Sequence, residues 1–342
     1  MDSLSQEVKL LTTHKRDVLV SLCIPTYNRC EYLNMCLKQY VKNKKFIDGS
    51  IEIVISDNAS TDKTLDVVLS YKKKYHNIVY YKNRKNLKDK NFPIVLSRGR
   101  GKLRKLVSDN IVISEYGLDL LCDCVKKYYE SYVGLFFDNG KSQHIKTNKY
   151  YCENIDSLFY AIGYWSTWSS GLSLWDYDCR NIFAETDDCD LRLWQVNKLC
   201  ELFSKRNGIV IHERFCSLLH IKQKDVSYGI FDVFYKNYFL ILNRYRNKGY
   251  ITNACIDFLK KDLLYGYFKK RLFLADCGLD KNLIYKEGEN LKEKVYREYA
   301  KEEYFMEYLT NYRKLFLLSK IIKFICRFVD INNFMNLLRR WC

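Results

Sequence analysis

Short apolar runs alternate with amphipathic segments along the first third of the chain. Residues 18–24, 51–56, 78–81 and 103–107 form four such runs. Runs of this length, rich in β-branched residues and bounded by turn residues, are typical of buried strands. Strands that alternate with helical segments predict an α/β fold, in which a mostly parallel sheet carries helices on both faces.

The intervals between these runs have helical periodicity. Helices are predicted after Arg29, over 64–75 and over 91–100. In the first two, apolar residues recur at the three- and four-residue spacing of one helix face. The positions expected to face the core are Leu33, Cys36, Leu37, Tyr40, Leu65, Val68 and Leu69.

The pattern changes farther along the chain. Residues 132–137 and 209–212 still predict strands, whereas the chain from about residue 227 is helical in pattern and rich in Tyr, Lys and Leu. We therefore expect a polar segment at 1–17 and an α/β domain at 18–225. That domain would consist of two halves, 18–110 and 111–225. A helical extension would occupy 226–342.

Polar loops follow three of the predicted strands. They are residues 25–29, 57–62 and 108–110, and ligands of open α/β sheets bind at the carboxyl ends of the strands. Carboxylates there can accept from ribose or a base, Arg29 can pair with a diphosphate, and an Asp can hold a divalent cation. Each loop alone would also fit turn and cap chemistry. No glycine-rich dinucleotide or P-loop motif follows these strands.

Two of these segments carry a family resemblance. Val-Ser-Leu-Cys-Ile-Pro-Thr-Tyr-Asn-Arg at 20–29 and Ile-Glu-Ile-Val-Ile-Ser-Asp-Asn-Ala-Ser-Thr-Asp at 51–62 resemble the opening strands and loops of glycosyltransferase family 2. The resemblance implies a GT-A fold, in which 18–110 would bind the nucleotide and 111–225 would bind the acceptor. It also implies inverting transfer from a nucleotide diphosphate-sugar, assisted by Mg²⁺ or Mn²⁺.

The same resemblance assigns a nucleotide-sugar site. Its residues would be Pro25, Thr26, Tyr27, Asn28, Arg29, Asp57, Asn58, Asp89, Lys90, Asn91, Ser108 and Asp109. Asp109 lies where the family has the last acid of its metal motif, although Ser108 stands where many members have another acid. His212 is a second candidate metal ligand, because a histidine in this region reaches the metal or the diphosphate in some relatives.

The general base has more than one candidate. Residues 168–175 resemble the acceptor-side strand of the family, and the acidic run after it resembles the motif that contains the base. Asp188 would then be the base, with Asp190 as the alternative. A competing alignment sets 195–197 at that position, where Gln195 could not act as a base. These acids would also suit a helix cap.

Charge and composition narrow the class of protein. The net charge is +17, which favours anionic partners. The 14 cysteines include no Cys-x-x-Cys pair, which is typical of reduced thiols in the cytosol. We find no signal peptide and no apolar span of membrane length. The absence of a nucleic-acid-binding signature argues against a nucleic-acid partner.

The last segment, 314–340, predicts a basic amphipathic helix. Its apolar face would carry Leu318, Ile321, Ile322, Ile325, Phe328 and Val329, opposite Lys320, Lys323 and Arg327. Such a helix suits an anionic membrane surface, although packing on the domain or a partner is the alternative. The expected location is therefore the cytoplasm, with peripheral attachment to the inner face of the cell membrane.

Together these features predict an inverting glycosyltransferase that transfers sugar to a hydroxyl of a glycan or lipid-linked acceptor. The expected role is in the synthesis of a bacterial surface polysaccharide. The alternative is a catalytically inactive GT-A module that binds a nucleotide-sugar or a glycan. The missing acid at Ser108 and the uncertain base keep that alternative open.

Overall fold

The fold is described over residues 17–184, 187–219, 228–277 and 290–325 in a computed structural model. Its strands are β1 (Val20–Thr26), β2 (Ile51–Asp57), β3 (Ile78–Lys82), β4 (Leu103–Leu106), β5 (Ile111–Ile113), β6 (Gly134–Phe137), β7 (Lys149–Cys152), β8 (Ser173–Trp175), β9 (Gly208–Ile211) and β10 (Cys216–Leu218). Its helices are α1 (Cys30–Tyr40), α2 (Lys44–Ile47), α3 (Thr64–Lys72), α4 (Asn91–Ser97), α5 (Glu115–Tyr128), α6 (Ile155–Ile162), α7 (Trp194–Phe203), α8 (Tyr238–Asn247), α9 (Asn253–Asp262), α10 (Lys269–Asp276), α11 (Leu291–Tyr299) and α12 (Phe305–Ile325).

The central sheet has the strand order β3-β2-β1-β4-β8. The first four strands are parallel, and β8 runs antiparallel to β4. Along the pair β1 and β2, Val20 lies opposite Ile51 and Thr26 lies opposite Asp57. The four strands predicted in the first third of the chain are therefore confirmed, and so is the mostly parallel sheet.

A second sheet, β6-β9-β7, continues this surface. Strand β6 is parallel to β9, and an antiparallel bridge between Phe136 and Leu172 sets β6 beside the segment that enters β8. The Ser173 hydroxyl donates to the Leu135 carbonyl at 2.9 Å across the same junction. Because β6 is antiparallel to β8, it runs parallel to β4. The carboxyl ends of β6 and β9 therefore lie at the same edge as those of β1, β2 and β4.

Helices cover both faces of the central sheet. Alternate residues of a strand point to opposite faces, so Ile53 packs in the core that contains α1, whereas Val54 packs in the core that contains α4. The second core continues into the C-terminal helices and includes Tyr238, Phe268 and Tyr299. The helical extension thus shares a core with the sheet.

Several predicted boundaries and faces differ from the structure. In α3, Val68 is buried, but Leu65 and Leu69 are 36% and 43% exposed, contrary to prediction, because only a narrow stripe of this nine-residue helix faces the sheet. Strand β1 continues through Pro25, where β4 no longer pairs with it. Strand β6 begins at Gly134 because Tyr132 has a left-handed φ of 56°. The domain boundary predicted near 225 lies outside the described residues.

The predicted amphipathic tail is described as far as residue 325. One face of α12 is buried through Tyr308, Tyr312 and Ile322, whereas Leu318 and Ile321 are exposed. The described part of the helix therefore packs on the core through a different stripe from the predicted apolar face, and Leu318 and Ile321 of that face remain exposed. Among the residues described, no helix is both long and apolar enough to cross a bilayer.

A buried glutamate joins three parts of the sheet. Glu52 in β2 accepts from the Ser21 hydroxyl and from the Arg100 backbone N–H, each at 2.6 Å, and its carboxylate pairs with the Arg100 guanidinium at 2.8 Å. Its side chain is 1% exposed. These contacts connect β1, β2 and the turn before β4.

Replacing Glu52 with Ala should lower the free energy of unfolding by about 1–3 kcal/mol, because buried donors lose their acceptor. Urea unfolding measures this value. The matched control is Asp123→Ala, because the ion pair of Asp123 with Lys126 is exposed on both sides; we expect a change below about 0.5 kcal/mol. Equal losses in the two variants would contradict the structural role of Glu52.

Candidate functional site

The candidate site lies at the carboxyl ends of β1, β2 and β4. Thr26 ends β1, Asp57 ends β2, and Asp109 follows β4 by three residues. All three side chains are buried. Because the strands are parallel neighbours, residues 83 positions apart in the sequence come into direct contact. The structure thus brings together the three loops that the sequence pattern singled out.

Asp109 is held by two residues of the first loop. Its Oδ2 accepts from the Thr26 hydroxyl at 2.9 Å, and its Oδ1 accepts from Arg29 Nη1 at 2.8 Å. The Asp109 side chain is 4% exposed and that of Arg29 is 27% exposed. A buried carboxylate needs such donors, since removing an ion from water is costly without a partner.

The first loop is also fixed to the second. Asn28 has a left-handed φ of 51°, a conformation that asparagine tolerates better than most residues. Its backbone N–H donates to the Ser60 hydroxyl at 2.9 Å, and its Oδ1 accepts from the Thr61 N–H at 2.8 Å. Tyr27 is 43% exposed, and Pro25 is half-buried within β1. Tyr27 and Asn28 are therefore the exposed residues of this loop.

Asp57 is wholly buried and accepts two hydrogen bonds. Its Oδ1 accepts from the Ser60 N–H at 2.8 Å, and its Oδ2 accepts from the Tyr80 hydroxyl at 2.6 Å. Burial and the Asp57 carboxylate raise the pKa of Tyr80, so this phenol stays a donor. The side chain of Asn58 contacts the segment after β3, where its Oδ1 accepts from the Leu87 N–H at 2.9 Å.

The predicted element 89–91 divides into two parts. Asn91 is buried below the loops, where its Nδ2 donates to the Ser56 carbonyl at 2.8 Å, so its contacts are structural. Asp89 and Lys90 instead line a small cavity of about 50 Å³ together with Asp190. Lys88, Leu87, Cys189 and Arg192 complete the lining.

The two candidate bases have different surroundings. Asp188 Oδ1 accepts from Arg244 Nη1 of α8 at 2.6 Å, and its side chain is 12% exposed. Asp190 faces the cavity shared with Asp89 and Lys90. Gln195, the position of the competing alignment, is buried and donates through Nε2 to the Thr167 carbonyl at 2.8 Å. Asp190 is therefore the acid of this run that lies beside the first half of the chain.

His212 pairs with an aspartate that the sequence pattern did not indicate. Its Nδ1 lies 2.7 Å from Oδ2 of Asp138, which is wholly buried after β6. Asp138 also accepts from the Gly140 and Ser142 N–H groups, each at 3.0 Å. Within the part of the chain that the structure describes, no three His, Cys, Asp or Glu side chains cluster to form a metal site made of protein ligands alone.

Comparison with known proteins identifies the first half of this site. Residues 21–103 match the family model described as glycosyl transferase family 2. This segment is therefore similar to glycosyl transferase family 2. Over 115 residues this chain is 38% identical to the abequosyltransferase RfbV of Salmonella typhimurium. The aligned segment covers 31% of this chain and 34% of that protein.

Two further similarities extend this result. The chain is 41% identical over 68 residues to the dolichyl N-acetyl-alpha-D-glucosaminyl phosphate 3-beta-D-2,3-diacetamido-2,3-dideoxy-beta-D-glucuronosyltransferase of Methanococcus voltae, covering 19% of this chain and 21% of that one. The structure of S. aureus TarS residues 1–349 with UDP-GlcNAc superimposes with a TM-score of 0.52 at 18% identity, over 75% of this chain and 77% of that one. The GT-A fold is confirmed. The matched segments span about a third and a fifth of the two sequence relatives' lengths.

Ser108 contacts the segment that enters β8. Its backbone N–H donates to the Ser170 hydroxyl at 3.0 Å, and the two hydroxyl oxygens lie 3.2 Å apart. Ser170 follows Trp168, whose half-buried ring lies 6.3 Å from that of Phe215. Ser108, which stands where many members of the family have an acid, therefore has Ser170 as a structural partner.

Lys105 is the residue of this region that sequence reasoning missed. It is wholly buried in β4, and its Nζ donates to the Ser170 and Leu172 carbonyls between the rings of Phe137 and Phe215. Burial lowers its pKa from 10.5 to about 7. A neutral amine has two N–H groups, which these two carbonyls satisfy. Only such a long-range contact makes a lysine acceptable in this strand, so the local pattern gave no signal.

The lowered pKa of Lys105 predicts how stability depends on pH. Between pH 7 and 10.5 the unfolded chain keeps a proton that the folded chain has released, so this residue makes the free energy of unfolding rise with pH. The rise is at most about 1.4 kcal/mol per pH unit. It should be measurable by urea unfolding between pH 7 and about 8 as the difference in slope between the wild type and Lys105→Met, because the cysteine thiols, which titrate at about pH 8.5 when unfolded, lower both slopes equally.

The variant Lys105→Met should lose this rise. It should also be less stable, because two buried carbonyls lose their donor. Lys72→Met, on the exposed surface of α3, is the matched control and should keep the slope of the wild type. An unchanged slope in Lys105→Met would show that Lys105 is not responsible.

Proposed function

We propose that this protein is a glycosyltransferase that uses a nucleotide diphosphate-sugar as donor. The observation that carries the proposal is the convergence of Thr26, Arg29, Asp57 and Asp109 at one edge of the sheet, with Asp109 in contact with the first loop. The relatives' names describe glycosyl transfer, and the TarS structure contains UDP-GlcNAc. These names support the reaction class, and the site's chemistry supports the donor class.

The donor would extend along the three loops. Asp57 is an acceptor held at the end of β2 and suits an N–H of the base or a ribose hydroxyl. Arg29 suits the diphosphate, because a planar guanidinium can bind phosphate oxygens in a bidentate manner. We expect Arg29 to leave Asp109 and pair with the diphosphate when the donor binds. Asp109 would then hold the cation, so that each charged side chain has a partner of opposite charge both with and without the donor.

The residues around Asp109 fit a divalent cation held chiefly by the donor. Asp109 offers one carboxylate beside the Thr26 hydroxyl, and Mg²⁺ commonly takes one or two protein carboxylates together with phosphate oxygens and water. Mn²⁺ accepts similar oxygen ligands. When bound, such a cation stabilises charge on the departing diphosphate. His212 would be the further ligand, because Asp138 engages Nδ1 and directs Nε2 away, the arrangement usual for ligating histidines.

For the transfer step we propose inversion with Asp190 as the base. A base must reach the acceptor hydroxyl while the sugar carbon is attacked from the face opposite the diphosphate. Asp190 lines the cavity that borders Asp89 and Lys90, whereas Asp188 is occupied by Arg244. Sequence analysis favoured Asp188, and it remains the alternative.

The acceptor would be a glycan or lipid-linked glycan in the synthesis of a bacterial surface polysaccharide. The half-buried ring of Trp168 beside Ser170 offers an apolar face close to Ser108, where an acceptor sugar could pack. The exposed Leu317, Leu318 and Ile321 of α12 support attachment to an anionic membrane from the cytoplasmic side. The predicted tail beyond residue 325 lies outside the described residues.

A non-catalytic binding module is the second candidate. Asp188 is paired with Arg244, and Gln195, the position of the competing alignment, has an amide that cannot act as a base. Of the positions considered for the base, Asp190 is thus the acid that faces the donor loops. Such a module would bind a nucleotide-sugar without turnover. Transfer or donor hydrolysis by the purified protein would exclude it.

The test of the proposed function is a panel of nucleotide-sugars with Mg²⁺ or Mn²⁺. One donor should raise the melting temperature, since a ligand at 100 times its Kd adds about 2.7 kcal/mol of stability. Asp109→Asn should lower transfer at least about 100-fold, because the carboxylate cannot then hold the cation, while the ligand-free protein stays folded. Asp66→Asn, an exposed carboxylate of α3, should keep full activity. The absence of any stabilising donor, or full activity of Asp109→Asn, would refute the proposal.

The base assignment has its own prediction. Asp190→Asn should lower kcat by about 10²- to 10⁴-fold and leave the KM for the donor within threefold or so, because the amide cannot accept the proton. Asp188→Asn should mainly reduce thermal stability, since its partly buried ion pair with Arg244 is weakened. Steady-state kinetics and thermal unfolding distinguish the two. A large fall in kcat for Asp188→Asn alone would return the role to that residue.

A further inference from the structure

A basic groove lies at the outer edge of the central sheet, beside the end of β3. Its volume is about 550 Å³, and its lining residues are Lys82, Asn83, Arg84, Lys85, Leu87 and Arg98. Four of these six side chains are cationic and none is acidic. The groove therefore concentrates positive charge at one place on a chain whose net charge is already +17.

The guanidinium of Arg98 is held in place in this groove by three contacts. Its Nη1 donates to the Ser56 hydroxyl at 2.6 Å, its Nη2 donates to Asn83 Oδ1 at 3.0 Å, and its guanidinium lies 4.5 Å from the centre of the Tyr81 ring. Desolvation lowers the pKa of Arg98. These three partners are neutral, so they orient the half-buried cation without compensating its charge.

The groove lacks internal counterions. Over the described ranges, none of the ion pairs within 4.0 Å involves Lys82, Arg84, Lys85 or Arg98. Lys82 instead donates to the Ser60 carbonyl at 3.1 Å. A partly desolvated cation among other cations is electrostatically unfavourable, and a bound anion would remove that cost.

The groove is distinct from the donor site. Neighbouring residues of a strand point to opposite faces of a sheet, so Ser56, which binds Arg98, faces away from the side that Asp57 serves. The two regions nevertheless adjoin, since Asn83 contacts both Arg98 and Asn58, the latter at 3.2 Å. A ligand in the groove would therefore lie close to the donor loops without occupying them.

We propose that this groove binds a phosphate group of an anionic carbohydrate acceptor. Arginine binds phosphate oxygens through several N–H groups in one plane, and the exposed Arg84 and Lys85 add charge beside it. The volume is in the range of small-molecule pockets, so a phosphate and an adjoining sugar unit both fit. The identity of the ligand as acceptor rests on the proposed function, whereas anion binding by the groove does not.

The test is calorimetric titration of the donor-free full chain with an oligomer of glycerol phosphate, in about 0.1 M salt to limit non-specific charge effects. Maltohexaose, which is uncharged, serves as the neutral ligand. We expect the phosphate oligomer to bind and maltohexaose not to bind. The double variant Arg84→Gln/Lys85→Gln should weaken binding at least about tenfold, which corresponds to 1.4 kcal/mol.

The matched control is Lys72→Gln/Lys73→Gln, which removes the same charge from the exposed end of α3. Its affinity should stay within about twofold of the wild type, as expected for charges outside the site. Arg98→Lys keeps the charge but loses the planar fork, so it should weaken binding by an intermediate factor. Equal losses in the two double variants would show a general charge effect and overturn the groove assignment.

Two further outcomes would also overturn the proposal. One is the absence of binding to the oligomer by the wild type. The other is binding to phosphatidylglycerol vesicles, but not to the oligomer, which would assign the groove to a membrane surface. Donor-induced stabilisation of Arg84→Gln/Lys85→Gln, measured in parallel, should equal that of the wild type. A wild type that binds the oligomer but responds to no donor would refute the proposed function and leave the phosphate site intact.

Discussion

The parallel pairing of β1 with both β2 and β4 is the constraint on which the site depends. It sets the ends of three strands side by side, so Thr26, Asp57 and Asp109 meet although they are far apart in the sequence. The same pairing excludes water from two carboxylates. Their desolvation is acceptable only because the first loop and strand β3 supply donors, which include Arg29 and Tyr80. Fold stability and preorganisation of the site therefore have a common origin.

A second set of contacts fixes the segment 168–175 beside the loop that contains Asp109. Strand β8 runs antiparallel to β4, and Lys105 donates to carbonyls of the segment that enters β8. The Ser170 hydroxyl then accepts from the Ser108 N–H. A charged lysine would need a carboxylate at this depth, but a neutral amine is satisfied by two carbonyls. The loop that bears Asp109 is thereby held against the segment that bears Trp168.

Much of the first 110 residues was predictable from the sequence because local signals and global fold agree there. Apolar runs predicted the strands, and the polar loops predicted residues that meet at the candidate site. The contacts that the sequence did not indicate have a different cause. Asp188 finds its partner, Arg244, 56 residues later, and Asp138 meets His212 across 74 residues. No local pattern contains such pairs. Leu65 and Leu69 show a milder limit, since helical periodicity gives a face but not how much of it is covered.

The excess of positive charge is the remaining feature that the fold does not require. Self-repulsion among 57 lysines and arginines against 40 acids opposes the compact state. Some cations of the structure have a carboxylate partner, as Arg100 has Glu52 and Arg206 has Asp178. The hydrogen-bonding partners of Arg98 are instead the neutral side chains of Ser56 and Asn83. A guanidinium that is held in place by neutral groups can pair with the negative charge of a bound ligand. The proposed phosphate site would give part of this charge a function at this edge of the sheet.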